Sequence, residues 1–143
     1  MKLPDVNLLL YAYDASSANH VRAKDWLEAQ LSGVEAFAFA WVVVLAFVRL
    51  VASPRVFDSP LRVDEAFDIV DSWLAAPCAT VAHPGSRHAI LLRQLLEPLG
   101  SGGNLTTDAH LAAIALEHDA ELCSADADFS RFPGLRRSNP LVA

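Results

Sequence analysis

Short apolar runs that alternate with amphipathic helical stretches predict an α/β sandwich with a mostly parallel central sheet. Three observations carry that expectation. The apolar runs Val34 to Ala40, Cys78 to Ala82 and Glu121 to Ala125 have strand length, whereas the segments between them are long enough for helices. No internal repeat, low-complexity segment or linker interrupts the 143 residues, so one domain spanning 1–143 is expected. Acids recur at the junctions between elements, where the carboxyl edge of a parallel sheet would collect them.

Taken in order, Met1 to Asn7 starts extended and meets Asp5, and Val6 to Tyr13 continues as an apolar helix. Asn19 to Leu31 has an amphipathic pattern, with Asn19 as cap, Ser32-Gly33 as stop, and Val21, Trp26 or Ala23, Leu27 and Leu31 directed inward. Trp41 to Val51 has no polar residue before Arg49; its length and the Ser53-Pro54 stop favour a helix over a strand. Val63 to Leu74 is amphipathic with Phe67, Val70 and Trp73 or Leu74 on one face, and Arg87 to Leu96 is a further helix closed by Pro98-Leu99-Gly100. Gly102 and Gly103 then break the chain, and Thr106 or Thr107 is expected to cap a helix that carries Leu111, Ile114, Ala115 and Leu116. His118-Asp119 ends it, Glu121 to Ala125 reads as a buried strand followed at once by Asp126 and Asp128, and Leu135 to Leu141 contains a last short strand.

Composition excludes several classes. At 53% apolar and a mean hydropathy of +0.29 the chain is not disordered, and it has apolar surface to spare for a partner. The richest run, Ala36 to Val48, falls short of the roughly 18 residues that cross a bilayer, so no membrane association is expected. Pro4 and Asp5 interrupt the start of the chain, which argues against a secretory leader, and Cys78 and Cys123 fit buried free thiols in a reducing cytoplasm. A net charge of −6 provides no global attraction to nucleic acid. Local positive charge remains at Arg49, Arg55 and Arg62, and again at Arg136 and Arg137.

Right-handed crossovers would bring Asp5, Asp108 and Asp126 together at one sheet edge. Two carboxylates about 4 Å apart repel by roughly 4 kcal/mol at an effective dielectric near 20, so three together need a cation or a proton. Oxygen donors without a His or Cys pair at zinc spacing select Mg²⁺ or Mn²⁺, ions suited to phosphodiester cleavage. Each acid also has a plainer explanation: Asp108 as a first-turn acid, Asp126 and Asp128 as turn formers, Asp5 as a helix cap. Convergence at one predicted edge favours the metal. His83, His110 and His118 fit surface or packing roles better than ligation.

The segments LPDVNLLLYA, WVVVLAFVRLVASPRVF and NLTTDAHLAAIALEHDAELCSADADFSRFPGL together resemble a PIN domain, and within that group the VapC-type ribonuclease toxins of bacterial toxin–antitoxin pairs. The resemblance implies a PIN-like three-layer α/β/α sandwich. It matches Asp5 and Asp108 to metal ligands, Asp126 to a third acid holding the ion, Asp128 to one more catalytic acid, Ser124 to a small hydroxyl residue and Asn7 to a polar neighbour of the first acid. One position departs from the pattern: Ala46 stands where PIN nucleases usually place a Glu, leaving a fourth ligand absent or supplied by Asp128 or water. The implied activity is a Mg²⁺- or Mn²⁺-dependent endoribonuclease, the toxin of a type II pair, acting on cellular RNA through a metal-activated water. The implied partners are the RNA substrate, a second copy in a homodimer, and a cognate antitoxin whose apolar helix covers the exposed apolar surface and whose basic side chain enters the acid pocket. Two other readings are open: an impaired PIN domain that binds RNA or antitoxin without cutting, and a phosphatase or receiver domain suggested by Asp126-Ala127-Asp128.

Overall fold

A computed structural model describes residues 1–142. Five short strands, β1 (Lys2–Pro4), β2 (Phe37–Phe39), β3 (Ala79–Val81), β4 (Glu121–Cys123) and β5 (Arg137–Ser138), form one sheet in the order β3-β2-β1-β4-β5. Every pairing in it is parallel, with Pro4 opposite Cys123 and Phe39 opposite Val81. Six helices flank the sheet in an α/β/α arrangement: α1 (Val6–Tyr13), α2 (His20–Leu31), α3 (Trp41–Val51), α4 (Val63–Leu74), α5 (His88–Leu96) and α6 (Thr106–Glu117). The chain builds outward from β1 through β2 to β3, then returns to lay β4 on the other side of β1. That reversal leaves a crevice beyond the carboxyl ends of β1 and β4, the place where open α/β sheets bind ligands.

The core explains why strands of three residues suffice. Leu3, Phe37, Ala38, Phe39 and Leu122 have no exposed surface. Phe39 stacks on Trp73 of α4 at 5.7 Å, and Phe47 of α3 meets the same indole at 4.7 Å, so the two helices are fixed to the sheet through one aromatic cluster. Helix α6 is enclosed on most sides: Ala109, Leu111, Ala112, Ala113, Ile114 and Ala115 are all buried, and the alanines allow close approach of its neighbours. Its end forms a Schellman motif, with Asp119 N donating to Leu116 O and Ala120 N to Ala115 O, while Asp119 adopts φ 51°.

Several expectations are corrected. Strand β2 begins at Phe37, because its ladder partners extend no further, and Val34 is fully exposed ahead of it. Val21 and Phe67 point outward on α2 and α4, where Ala23, Leu27, Ala66, Val70 and Trp73 supply the buried faces. Neither Thr106 nor Thr107 caps α6. A short 3-10 turn, Gly103–Leu105, runs directly into the helix and takes over the cap position. Asn19 does occupy the cap of α2 but makes no side-chain bond there. Cys78 is half-buried and Cys123 buried, and both are free thiols.

Candidate metal centre

Three segments build the site at the crevice. Asp5 follows β1 directly and sits at the N-terminus of α1, where its Oδ1 accepts from Val6 N at 2.8 Å. Its other oxygen accepts a 2.8 Å hydrogen bond from the hydroxyl of Ser124, the first residue after β4. The same hydroxyl oxygen accepts from Asp126 N at 2.9 Å and from Asn7 Nδ2 at 3.2 Å. One donor and two acceptor lone pairs are all a hydroxyl has, so Ser124, 7% exposed, is fully used. Asn7 Oδ1 in turn accepts from Ala125 N at 3.4 Å. Backbone and side-chain bonds thus tie the β1–α1 junction to the segment after β4 across the point where the strand order reverses.

Asp126 caps a 3-10 turn, Ala127–Arg131, by accepting from Asp128 N at 2.8 Å. Phe129 within that turn is buried, which anchors the turn and fixes where Asp126 and Asp128 emerge. Asp108 arrives from the first turn of α6. Carboxylate oxygens of Asp108, Asp126 and Asp128 lie within 4.8 Å of one another. At that separation each ionised pair repels by roughly 3.5 kcal/mol for an effective dielectric near 20.

Electrostatics agree with the geometry. Burial first, then the charges of Asp5, Asp126 and Asp128, push the Asp108 carboxyl up to about 6. Burial also raises Asp5 above the usual carboxylate range, outweighing the Ser124 and Val6 hydrogen bonds that act the other way, and Asp126 adds to the rise. One basic group approaches the trio: Arg131 lies 3.7 Å from Asp128 Oδ1. Oxygen donors at close range with little internal neutralisation suit a hard divalent cation.

All four acids singled out from the sequence therefore gather at the crevice, but in different positions. Asp108 and Asp126 belong to the trio together with Asp128, which the sequence offers as a catalytic acid and as one possible source of a fourth ligand. Asp5 is not a member of the trio; it lines a cavity of about 300 Å³ with Asp108 and has its two oxygens engaged by Val6 and Ser124. The opposite wall of that cavity belongs to α3 and includes Ala46 and Arg49. Thr107, expected only as a cap, also lines it. Sequence spacing gave no sign of one more contact: His88 Nε2 and His110 Nδ1 lie 2.8 Å apart between α5 and α6, and burial followed by the neighbouring His88 holds His110 below its ordinary range. This histidine pair packs the two helices, and among the described residues it joins no metal-ligand cluster.

Comparison with known proteins now adds to the geometry. The PIN domain family profile matches residues 2–135. Ribonuclease VapC37 of Mycobacterium tuberculosis is 46% identical over 140 residues, covering 98% of this chain and 97% of that protein. Ribonuclease VapC33 of the same organism is 38% identical, with 99% of each covered. Among solved structures, VapBC2 from Rickettsia felis bound to a promoter DNA fragment aligns with TM-score 0.71 at 18% identity, covering 96% of this chain and 97% of that one. Mycobacterium tuberculosis VapC20, described as a sarcin–ricin loop cleaving toxin, aligns at 0.64 with 19% identity over 95% and 99%. At those identities the structural likeness speaks for the fold, while the near-full-length profile and sequence matches speak for descent. This chain belongs to the PIN domain family.

Proposed function

We propose that this chain is a metal-dependent endoribonuclease of the VapC type, the toxin of a type II toxin–antitoxin pair. The observation that carries the reading is the trio of Asp108, Asp126 and Asp128, with oxygens within 4.8 Å at the sheet's switch point, in a chain 46% identical to a VapC ribonuclease. The donor set fits Mg²⁺ or Mn²⁺, with all-oxygen ligands and carboxylates that repel one another. Asp108, Asp126 and Asp128 would hold the ion, with Asp5 beside them completing the acidic wall. When bound, such an ion supplies a water of lowered pKa and offsets charge on the leaving oxygen of a phosphodiester.

The chain's own residues set the conditions for that chemistry. Ser124 donates to Asp5 and accepts from the Asp126 backbone, so one hydroxyl ties the acid that follows β1 to the segment after β4. Asp128 contributes to the trio while its contact with Arg131 restrains the turn. The apolar groove beside the site, lined by Val42, Leu45 and Val48 with Trp41 exposed nearby, is where an antitoxin helix would lie. Solved VapBC complexes of this fold contain both components, which supports such a partner. Among the described residues no helix is long and apolar enough to cross a membrane.

A second reading, a PIN domain that binds RNA or antitoxin without cutting, is favoured by one observation: Ala46 lines the cavity facing Asp5 and Asp108 with a methyl group in place of the family's usual Glu. One experiment separates the two. Purified chain incubated with RNA and Mn²⁺ should release fragments, and Asp108→Asn prepared identically should not. Intact RNA in both samples, with metal bound, would establish the non-cleaving reading. Equal cleavage by both would remove Asp108 from the site.

A further inference from the structure

Arg49 stands on the wall of α3 that faces the acids. Its side chain lines the 300 Å³ cavity with Asp5, Asp108 and Thr107, and it also lines the wider groove of about 530 Å³ that adjoins it. The two spaces share Val42, Ala46 and Thr107 as well, so they lie side by side along α3, and Arg49 borders both. Its guanidinium is exposed and has no hydrogen-bond or ion-pair partner among the described residues. Five other arginines are engaged: Arg62, Arg93, Arg131 and Arg136 each face a carboxylate within 4.0 Å, and Arg22 donates to Leu141 O. Arg55, Arg87 and Arg137 also lack a side-chain partner among the described residues, but they line neither space.

Ala46 explains why this guanidinium is unengaged. It lies three residues earlier on the same helix face, the spacing at which a Glu would pair with an arginine. A methyl group there leaves both the charge of Arg49 and the space in front of it open. A cation that lines an acidic cavity yet comes within 4.0 Å of no carboxylate is placed for a third party carrying negative charge. In a groove running out from a phosphodiester-cleaving site, that party is the substrate backbone.

Resting on the nuclease reading above, we infer that Arg49 is a substrate-binding residue that grips an RNA phosphate in the groove between α3 and the start of α6. A guanidinium is suited to this task, because its planar fork presents paired donors to a phosphate and it stays charged at all working pH values. This role supplies the local attraction that a chain of net charge −6 lacks overall. The plain alternative is that Arg49, in the last turn of α3, merely complements the helix dipole.

The test is binding of a fluorescein-labelled single-stranded RNA oligonucleotide to the full chain in EDTA, followed by anisotropy over a salt series. Arg49→Ala should weaken binding about tenfold or more, the usual cost of a charge-assisted hydrogen bond, and should lower the salt dependence by about 0.7. Arg49→Lys should recover part of the affinity, and Arg55→Ala, which removes one charge outside the groove, should leave binding near wild type. In Mn²⁺, cleavage by Arg49→Ala should fall chiefly through KM. Unchanged binding in Arg49→Ala, or an equal loss in Arg55→Ala, would overturn the assignment. A lowered Tm with intact binding would identify the dipole role instead. Absence of cleavage by the unaltered chain would count against the nuclease reading, while the EDTA measurement would still decide for or against Arg49.

Discussion

The two edges of the sheet treat charge in opposite ways. At the amino edge Glu35 and Asp119 each have a cation: Glu35 meets the N-terminal ammonium at 3.3 Å and Lys2 at 3.8 Å, and Asp119 meets Arg136 at 3.3 Å. At the carboxyl edge Asp108, Asp126 and Asp128 crowd within 4.8 Å with Asp5 beside them, and among the described residues only Arg131 comes within 4.0 Å of one of these carboxylates. The strands are the same, and the chain passes from Lys2 at the start of β1 to Asp5 just beyond its end within three residues. Folding alone favours the first arrangement, since paired surface charges cost nothing and clustered carboxylates repel. The second is a standing penalty that a bound cation would remove. Strain of this kind, kept at one edge and absent from the other, marks the edge that has a job to do.

Substitutions can break this contrast, and the largest effect belongs to the trio. Asp108→Asn should abolish RNA cleavage by at least about 100-fold, more than loss of an outer-shell partner costs, as measured by fragment release in Mn²⁺. EDTA should do the same to the unaltered chain.

The same substitution should make the metal-free protein more stable. The folded carboxyl of Asp108 titrates at about 6, above the ordinary value of 3.8. Its contribution is therefore fully present at pH below about 4 and is lost as pH rises through 6, because the unfolded chain sheds the proton more readily. A rise of that size bounds the loss at roughly 3 kcal/mol, reduced by solvent around this half-buried group. The Tm advantage of Asp108→Asn over wild type in EDTA should thus grow between pH 4 and 7.5, and saturating Mn²⁺ should reverse it. A constant difference across that range would show that the acids do not interact.

Smaller effects sharpen the comparison. Ser124→Ala removes the hydroxyl that holds Asp5 and receives Asn7 and Asp126; metal affinity should fall about 10- to 100-fold and stability by about 1–3 kcal/mol. At the other edge Glu35→Ala should change stability by less than about 1 kcal/mol and leave cleavage as it was, since its pairs are exposed. A large loss of activity there would mean that the edges are not independent.

Much of this was legible in the sequence, for identifiable reasons. Strand-length apolar runs separated by helical patterns fixed the layers, and acids at element junctions pointed to one sheet edge before any contact was known. What escaped was information held in three dimensions. Asp128 joins the trio through the 3-10 turn that Asp126 caps, and its backbone bond has no spacing signature beyond two acids near a turn. The start of α6 misled because a preceding 3-10 turn can stand in for a threonine cap. Val21 and Phe67 fit an apolar stripe but face outward, while Ala23 and Ala66 are fully buried on the inward faces of the same helices. Arg49 is evident in the sequence as local positive charge, but its place on the cavity wall, like the His88–His110 contact, depends on helix packing that no local pattern reports.

The most direct test is calorimetric titration of the unaltered chain with Mn²⁺ at pH 7.5 and pH 5. Saturable binding at pH 7.5, about tenfold weaker at pH 5 where Asp108 is largely protonated, and lost in Asp108→Asn, is the predicted result. Equal affinity at both pH values, or full affinity in Asp108→Asn, would contradict the claim that the carboxyl edge of this sheet is built to hold a divalent ion.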